Sequence, residues 1–379
     1  MYYITTRQKE IKEKQITWLD IINDVPFDEN LGTRGSAGTV TRAYESIPSE
    51  YLRKINVPYM IKVLEDFIQR HENLYRDDMS ILYRHFSIPK KKGGLRPIDQ
   101  PCDELQDALL ELKNILADRF GILYHTSAFA YVPGRSTIQE TYKHQKNESN
   151  WFLKTDFSGF FPNTTMAFTM NMLKKIFPTC EICKTARGEQ ALSKALYLGF
   201  LHDGLPQGTK LSPWLTNAIM IPLDYEMFNY FAHKRMVYTR YADDICISCV
   251  QRFDMNEAIK FMKDTMNKFG APWKIKPEKT KFGSNKASSA NWILGCNLNK
   301  DNNITVGWAN KKLFKVMTTN IMLDYKHGNV WPIEDVRHYQ GLLSYYMMVE
   351  KEYFINLIKH FEDKFGVKLE TVLKASLSA

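Results

Sequence analysis

The segment from Val237 to Ser248, Val-Tyr-Thr-Arg-Tyr-Ala-Asp-Asp-Ile-Cys-Ile-Ser, constrains the fold of this chain most strongly. Two runs rich in β-branched and aromatic residues flank Ala242-Asp243, a pattern that predicts a β-hairpin with a tight turn. This turn places Asp243 and Asp244 side by side, where their carboxylates repel each other. A hard divalent cation such as Mg²⁺ would relieve the repulsion, because it binds carboxylate and phosphate oxygens together. The alternative is a solvated Asp-Asp turn without a ligand, since Asp is common in turns.

The composition indicates a folded, basic protein. The 379 residues include 51 lysines and arginines against 42 acidic residues, a formal net charge of +9. This excess suits a polyanionic partner without identifying one. The chain shows no signal peptide and no apolar run of membrane-spanning length, so we expect a cytoplasmic protein that does not contact a membrane. The pairs Cys180/Cys183 and Cys246/Cys249 lack further ligands at zinc-site spacing and are interpreted as small buried hydrophobes.

A third carboxylate follows a second β-prone segment. Residues Trp151 to Thr155 predict a short apolar strand that ends at Asp156. A carboxylate on a neighbouring strand would complete the set that a site for two metal ions requires. Phe161, five residues further on, is either a core residue or a ring that stands beneath a nucleotide sugar and excludes a 2′-hydroxyl.

A basic hairpin is predicted from Tyr83 to Asp99. Its turn region carries Lys90, Lys91, Lys92 and Arg96. This hairpin is either a solvated, charged tip or a cationic flap that closes over a triphosphate, whose charge lysine and arginine offset.

Two further segments have the composition of loops that meet a ligand. Gln207 and Gly208 lie in a loop before a helix for which Ser212 is the predicted N-cap, and such a loop suits an anion or nucleotide. Phe129 to Val132 predict a strand that leads into a Pro-Gly turn, after which Arg135 either contacts a template phosphate or is exposed.

Apolar spacing predicts helices in three segments, and the region from Asn310 onward is expected to be helical with mostly buried aromatic residues. The predicted helices are Val57–Tyr75, Asp103–Phe120 and Asp254–Phe269.

Taken together, in this order and spacing, the segments resemble the motifs of bacterial reverse transcriptases of the retron and group II intron type. The resemblance extends from about Ile81 to Gly307. The chain departs from typical retron enzymes in reading Ile293-Leu-Gly295 instead of Val-Thr-Gly, and in lacking an Asn-Ala-x-x-His pattern where it has Gln139 to His144. It is therefore most similar to compact, solitary, defence-associated retron-like enzymes. The motifs are Lys90–Pro97, Phe152–Phe161, Gly204–Asn217, Tyr241–Asp244, Lys276–Thr280 and Ile293–Leu298.

This resemblance implies an α+β fold, the right-hand polymerase with fingers, palm and thumb, an antiparallel palm sheet and a helical thumb. The implied division assigns residues 1–145 to an N-terminal extension and the fingers, with part of the palm. Residues 146–305 form the palm with the catalytic carboxylates and the primer grip, and residues 306–379 form the thumb. No ribonuclease H domain, maturase extension or endonuclease is expected within this length.

The resemblance also implies the roles of individual residues. Asp156, Asp243 and Asp244 resemble the catalytic, metal-binding carboxylates of the family, with the backbone carbonyl of Phe157 as a further ligand. The implied cofactors are two Mg²⁺ ions, for which Mn²⁺ can substitute. The other implied roles are nucleotide binding by Lys91, Arg96, Phe161, Gln207 and Gly208, protonation of pyrophosphate by Lys279, a primer grip at Leu294 and Gly295, and template contacts from Arg135 and Asn217.

The implied activity is RNA-directed DNA synthesis, the addition of dNTPs to a primer 3′-hydroxyl, with a dedicated non-coding RNA and a role in antiphage defence. The expected partners are an RNA template, the DNA product and dNTPs; an accessory defence protein and a homo-oligomer are left open. A template-independent or protein-primed DNA polymerase remains an alternative, because the carboxylates serve phosphoryl transfer whatever the template. A nucleic-acid-binding scaffold with an inactive palm is a further alternative. Phe161 disfavours an RNA polymerase.

Overall fold

The computed structural model describes residues 56–90, 93–122, 124–285, 292–293 and 295–378. Three sets of predictions lie outside these residues: the N-terminal extension up to residue 55, the nucleotide-binding role of Lys91 and the primer-grip role of Leu294. Among the helices of the described part of the chain, none is long and apolar enough to span a bilayer.

The described chain begins with helix α1 (Val57–Arg70), whose first turn is capped by the side chain of Asn56. The helix predicted from Val57 is confirmed, although it ends five residues before Tyr75 and is followed by a short 3₁₀ turn. A hairpin of strands β1 (Tyr83–Pro89) and β2 (Leu95–Pro101) follows, as predicted, and its strands pair antiparallel along their full length.

Helix α2 (Asp103–Asn114) begins where the sequence predicts and continues as a π-helical turn to Arg119. Beyond this turn the described chain mixes helices with short strands until Thr305 and is helical from Trp308 onward. In chain order, these elements are α3 (Thr137–Lys146), β3 (Trp151–Asp156), α4 (Met166–Leu173), α5 (Thr179–Ile182), α6 (Ala186–Tyr197), α7 (Leu211–Ile219), α8 (Ile221–His233), β4 (Val237–Tyr241), β5 (Asp244–Cys249), α9 (Met255–Phe269), β6 (Lys281–Ser284), β7 (Trp292–Ile293), β8 (Cys296–Leu298), β9 (Ile304–Thr305), α10 (Trp308–Lys326), α11 (Ile333–Val349), α12 (Lys351–Phe365) and α13 (Leu369–Ser378).

The central sheet has four strands in the order β4-β5-β3-β6. Strands β4 and β5 are neighbours joined only by Ala242 and Asp243, a connection so short that the two strands run antiparallel, as the sequence predicts. A second sheet has the order β7-β8-β9 with antiparallel pairing throughout. The predicted α+β fold class with antiparallel sheets is confirmed.

The chain divides into two compact units. The first consists of residues up to Arg135 together with Lys154–Ile247 and Asp254–Thr280, and the second consists of Ser136–Leu153, Ser248–Phe253 and the residues from Lys281 onward. The predicted division into fingers, palm and thumb is finer than this and stays a prediction. Of the predicted site residues that the structure describes, only Gly295 belongs to the second unit.

The second unit has an aromatic core formed by its C-terminal helices. Phe314 of α10 is fully buried, and its ring lies 4.9 Å from the ring of Tyr339 in α11 and 5.3 Å from that of Phe354 in α12. The prediction that the aromatic residues beyond Asn310 are mostly buried is confirmed for these positions. Burial of such large rings is the main source of stability available to a helical unit.

The strand predicted from Phe129 to Val132 is wrong. None of the residues from Phe129 to Val132 lies in a strand; the preceding Ala128 forms an isolated bridge with Arg240, and Tyr131 has a φ of +57°. A positive φ is incompatible with an extended strand, and it turns the chain into a loop before the Pro-Gly turn.

Candidate functional site

A pocket of about 600 Å³ lies in the first unit. It is lined by residues from several segments that are distant in sequence, and acidic, basic and aromatic side chains all face it. The lining residues that matter most for its chemistry are Arg96, Tyr131, Phe161, Gln207, Asp243 and Lys279.

The three predicted carboxylates come together at one end of the central sheet. Asp156 is the last residue of β3 and Asp244 is the first residue of β5, which is the neighbouring strand. Asp243 lies in the turn before β5, and its carbonyl accepts a hydrogen bond of 3.1 Å from the backbone N–H of Phe157. This contact ties the end of β3 to the Asp-Asp turn. The Phe157 side chain is fully buried.

Asp243 and Asp244 have raised pKa values, to which burial contributes most and neighbouring carboxylates contribute further. Burial raises the pKa of Asp244 to about 6, with further contributions from the negative charges of Asp243 and Asp156. Burial and the charge of Asp156 raise the pKa of Asp243. The site therefore carries more negative charge than its surroundings stabilise at neutral pH.

Two lysines partly offset this charge at Asp156. The Nζ atoms of Lys276 and Lys279 each lie 2.5 Å from one oxygen of its carboxylate. This ion pair raises the pKa of Lys279, although desolvation by burial opposes it. The motif Lys276–Thr280 was singled out from the sequence, but only Lys279 was given a role, so the contact of Lys276 with Asp156 is an addition from the structure.

The carboxylate oxygens form a donor set that suits a hard divalent cation. Positive charge would relieve the repulsion that raises the pKa values of Asp243 and Asp244, and Mg²⁺ prefers carboxylate oxygens. In the described part of the chain, however, no three acidic, histidine or cysteine side chains are already grouped around one point as a metal site. The side chain of Asp156 contacts the two lysines instead.

A buried arginine holds the Asp-Asp turn. Arg240 is fully buried, and its Nη1 donates to the carbonyl of Ala242 at 3.1 Å and to Oδ1 of Asn217 at 3.0 Å. Its Nη2 and Nε donate to the carboxylate of Asp224 at 2.7 and 2.9 Å. Ala242 has a φ of +56°, an unfavourable value for a residue with a Cβ, so this contact stabilises a strained turn. Nothing in the β-prone run distinguished this arginine beforehand, because an arginine in a strand is usually exposed.

Asn217 and Arg135, which the resemblance assigns to template contacts, bind protein groups instead. Asn217 is only 1% exposed, and its Nδ2 donates to the carbonyl of Ala130 at 2.7 Å while its Oδ1 accepts from Arg240. Its amide is therefore not available to a template in this structure. Arg135 donates from Nη1 to the carbonyls of His125 and Ala128, at 2.6 and 2.5 Å. A template contact by Arg135 stays a prediction.

The loop with Gln207 and Gly208 is fixed to strand β2. Gly208 has a φ of +135°, and a Cβ at this position would lie 2.7 Å from the carbonyl oxygen of Asp99. The carbonyl of Gln207 accepts from the backbone N–H of Asp99 at 2.8 Å. Gln106, which the sequence did not identify, bonds the carbonyl of Gly208 and the N–H of Lys210. Only glycine allows this close approach of the two backbones.

The predicted capping of the next helix by Ser212 is wrong. Helix α7 already begins at Leu211, and the backbone N–H of Ser212 donates to Oγ1 of Thr209 at 3.1 Å. The helix begins earlier than its proline suggests, because the hydroxyl of Thr209 satisfies an N–H group of the first turn.

The sequence leaves Phe161 as either a core residue or a ring beneath a nucleotide sugar, and the burial of its neighbours distinguishes the two. Phe157 and Phe160 are buried, with their rings against Trp273, whereas Phe161 is partly exposed and lines the pocket. Its ring packs edge-to-face on Phe160 at 5.7 Å. Of Phe157, Phe160 and Phe161, it is therefore Phe161 whose ring is available to a ligand.

The basic hairpin supplies the cationic wall of the pocket. Lys90 and Arg96 line it, and both side chains are exposed. Gly93 and Gly94 form the tip with φ values of +87° and +83° and no neighbouring atoms within 4 Å of their Cβ positions.

In the second unit, Gly295 has a φ of +95°, and a Cβ there would lie 2.9 Å from the hydroxyl of Tyr345. The predicted primer-grip role of Gly295 is not addressed by this contact and stays a prediction.

Comparison with known proteins identifies the family. The family model described as reverse transcriptase (RNA-dependent DNA polymerase) matches residues 88–306, more than half of the chain. The chain belongs to the reverse transcriptase family. This enzyme is thus an RNA-directed DNA polymerase, and the α+β fold is that of a right-hand polymerase, as the sequence predicts.

Several relatives of this reverse transcriptase are retron enzymes. The retron Ec83 reverse transcriptase of Escherichia coli is 26% identical over 300 residues, which cover 75% of this chain and 87% of that protein. The retron Ec73 enzyme of E. coli is 24% identical, with coverage of 74% and 87%, and the retron Mx162 enzyme of Myxococcus xanthus is 29% identical, with coverage of 45% and 36%. The chain is therefore similar to reverse transcriptases of the retron type. Among solved structures, apo telomerase from Candida tropicalis matches with a TM-score of 0.45 and 12% identity, over 98% of this chain and 80% of that one.

Proposed function

We propose that this reverse transcriptase extends a primer 3′-hydroxyl with dNTPs in the pocket of the first unit, by phosphoryl transfer assisted by two metal ions. The observation that supports this most is a pocket shared by Asp243 and the cationic hairpin, with Asp156 at the end of β3 and Asp244 at the start of the neighbouring strand β5. Phosphoryl transfer needs this combination, because catalysis consists mainly of positioning and of stabilising negative charge.

Asp156, Asp243 and Asp244, with the backbone carbonyl of Phe157, would hold two Mg²⁺ or Mn²⁺ ions. When bound, such ions lower the pKa of the primer hydroxyl and stabilise the charge of the departing pyrophosphate. The raised pKa values of Asp243 and Asp244 support this assignment, because positive charge at this position would stabilise their ionised forms.

The nucleotide would bind between the hairpin and the aromatic wall. Arg96 and Lys90, with Lys91 beside them, would bind the triphosphate, since arginine presents a planar fork to phosphate oxygens and lysine a point charge. Phe161 would stand under the sugar and exclude a 2′-hydroxyl. Gln207 and Gly208 would contact the nucleotide and the templating base, because the loop offers a side-chain amide and an approachable backbone.

Lys279 would protonate the departing pyrophosphate. Its ion pair with Asp156 raises its pKa, so it carries a proton at neutral pH, and it lines the same pocket as Arg96. The proton would pass from Nζ to a pyrophosphate oxygen as the bond to the α-phosphorus breaks.

We further infer a cytoplasmic enzyme with a dedicated non-coding RNA as template and a role in antiphage defence. The similarity to retron reverse transcriptases supports the RNA and, through the retron-like group, the defence role. In this proposal Leu294 and Gly295 grip the primer, residues 1–145 include the fingers and residues 306–379 form the thumb.

The deciding experiment compares the wild type with Asp243→Asn, each expressed with its native flanking DNA. We expect one discrete RNA in both preparations, joined to complementary DNA only in the wild type. Asp264→Asn, an exposed carboxylate of α9 in the same unit, serves as the control and should retain synthesis.

Three results would contradict the proposal. DNA without a matching RNA, lost in Asp243→Asn, would indicate template-independent or protein-primed synthesis. Wild-type incorporation by Asp243→Asn would remove Asp243 from the metal site, and an inactive wild type with Mg²⁺ and dNTPs would favour a binding scaffold.

A further inference from the structure

Tyr131 stands in the pocket in an unusual backbone conformation. Its ring lines the pocket, the residue is 51% exposed, and its φ is +57°. A bulky residue at positive φ costs free energy and persists only where surrounding contacts maintain it. The structure therefore holds this ring at its position against an intrinsic backbone preference.

The contacts that maintain Tyr131 are buried and belong to the network around Arg240. The carbonyl of Ala130 accepts from Nδ2 of Asn217 at 2.7 Å, and the N–H of Phe129 donates to the carbonyl of Arg240 at 2.9 Å. Arg240 also donates to the carbonyl of Ala242, directly before Asp243. One buried network thus places both Tyr131 and the turn that carries the carboxylates.

The ring of Tyr131 packs against Phe161. Their centroids lie 6.5 Å apart with an angle of 63° between the planes, which is an edge-to-face arrangement. On its other side Phe161 packs edge-to-face on the buried Phe160. Phe161 is consequently held between a core ring and Tyr131.

The Tyr131 hydroxyl lies within the electrostatic influence of groups at the reacting end of the pocket. Its pKa is raised by burial first and then by the charge of Asp243, while Arg96 opposes the shift. Tyr131 also lines the pocket together with Asp243 and Arg96.

We propose that Tyr131 is a specificity-determining residue, whose ring braces Phe161 and thereby fixes how closely Phe161 approaches the nucleotide sugar. This inference rests on the sugar-gate role of Phe161 proposed above. Selection against a 2′-hydroxyl requires that the side chain next to the sugar keep its position. Without Tyr131, the Phe161 ring can rotate toward the vacated volume and admit the larger sugar.

The test is the ratio of kcat/KM for a dNTP to kcat/KM for the matching NTP, measured on one template-primer. We expect Tyr131→Ala to lower this ratio about 3- to 10-fold, the worth of one aromatic pair. Phe161→Ala should lower it further, and the double variant should match Phe161→Ala, because a brace has no effect without the ring it supports. Tyr131→Phe, which keeps the ring, should restore most of the ratio lost in Tyr131→Ala.

Tyr59→Ala, an exposed tyrosine of α1, is the matched control and should leave both rate constants unchanged. Thermal unfolding of each variant identifies any loss of fold, and Tyr131→Asn, which lacks the ring and tolerates a positive φ, replaces Tyr131→Ala if the latter is unstable.

Three outcomes would overturn the inference. If Phe161→Ala lowers the dNTP/NTP ratio but Tyr131→Ala does not, the sugar-gate role of Phe161 is supported and the supporting role of Tyr131 is rejected. A double variant whose effect equals the product of the two single effects would mean that Tyr131 acts independently of Phe161. Unchanged selection in an active Phe161→Ala enzyme would reject the gate and the brace together, while leaving polymerase activity itself established.

Discussion

The two hairpins of the first unit that meet at the pocket are built in opposite ways. In β4–β5 the middle residues of both strands are buried, and the turn is held by a fully buried arginine. In β1–β2 nearly every residue is exposed or half-exposed, and the tip consists of two glycines with no atoms close to them. One hairpin carries Asp243 and Asp244, and the other carries Lys90 and Arg96.

This difference follows from what each hairpin does in the proposed reaction. Metal-binding carboxylates must keep their positions to within a fraction of an ångström, which requires a packed, fully bonded surrounding. Groups that bind and release a triphosphate must move, and segments with few buried contacts open at low free-energy cost. Packing density therefore separates the two tasks within one pocket.

The largest effect is expected from removing the buried ion pair between Asp224 and Arg240, the arginine that holds the Asp-Asp turn. Asp224→Asn leaves the charge of Arg240 buried without a carboxylate, and we expect unfolding in urea to require about 3–5 kcal/mol less free energy. Glu226→Gln is the control on the same helix, because its partner Lys268 is 26% exposed and can be hydrated. Equal losses in the two variants would show that the turn is not anchored as described.

The raised pKa of Asp244 in the β4–β5 hairpin predicts that the stability of the fold depends on pH. The pKa of Asp244 is about 6 in the folded, metal-free chain against an ordinary 3.8, so the folded state binds this proton more tightly than the unfolded state does. The stability that the proton contributes is complete below 3.8 and is lost as the pH rises through about 6.

Asp244→Asn cannot undergo this loss. In EDTA, its free energy of unfolding should therefore rise relative to that of the wild type between about pH 4 and pH 7, by at most about 3 kcal/mol. Added Mg²⁺ should stabilise the wild type more than the variant at neutral pH. A stability difference that is constant across this pH range would contradict the repulsion among the carboxylates.

Substitutions in the exposed β1–β2 hairpin should weaken dNTP binding without lowering the stability of the fold. Arg96→Ala should raise the KM for dNTPs about 10- to 100-fold, the worth of a charged hydrogen bond, while its melting temperature stays that of the wild type. Arg84→Ala is the matched control, since Arg84 lies on the same hairpin over the ring of Phe86 and does not line the pocket. A comparable rise in KM in Arg84→Ala would mean that the hairpin contributes only diffuse charge.

The smallest expected effect concerns the glycines. Gly94→Ala places a Cβ at a φ of +83° and costs about 1 kcal/mol locally, so the KM for dNTPs should rise a few-fold without a change in melting temperature. Gly270→Ala, at a φ of +68° in the C-cap of α9, should show the reverse, a loss of about 1 kcal/mol in global stability with unchanged KM. If Gly94→Ala lowered the melting temperature as well, the hairpin would unfold with the core and not by itself.

Several elements were predictable because local rules act on them. The β4–β5 hairpin consists of two β-prone runs around a two-residue turn. Helix α9 matches the helix predicted from Asp254 to Phe269, and the structure adds its caps, Asp254 and Gly270. The meeting of Asp156 with Asp243 and Asp244 required only that two strands be neighbours in one sheet.

Other features were beyond such rules. The loop at Tyr131 was predicted as a strand, because its conformation depends on Asn217, 87 residues away from the carbonyl that it binds. The role of Asn217 itself was predicted as a template contact, since an asparagine shows its burial only once the chain is folded. Lys276 and Gln106 were missed for the same reason, as each contacts a partner more than 100 residues away in sequence.

The sequence by itself determined the reverse transcriptase motifs, the α+β class and the three carboxylates, because each depends on residue types at short range or on strand order. Only the tertiary structure decided which polar groups face the pocket and which support it from behind. Arg96 and Arg240 are the same residue type on two hairpins, yet Arg96 is exposed at the pocket and Arg240 is fully buried. Burial is set by the packing of distant segments, and it is burial that separates a binding group from a positioning group.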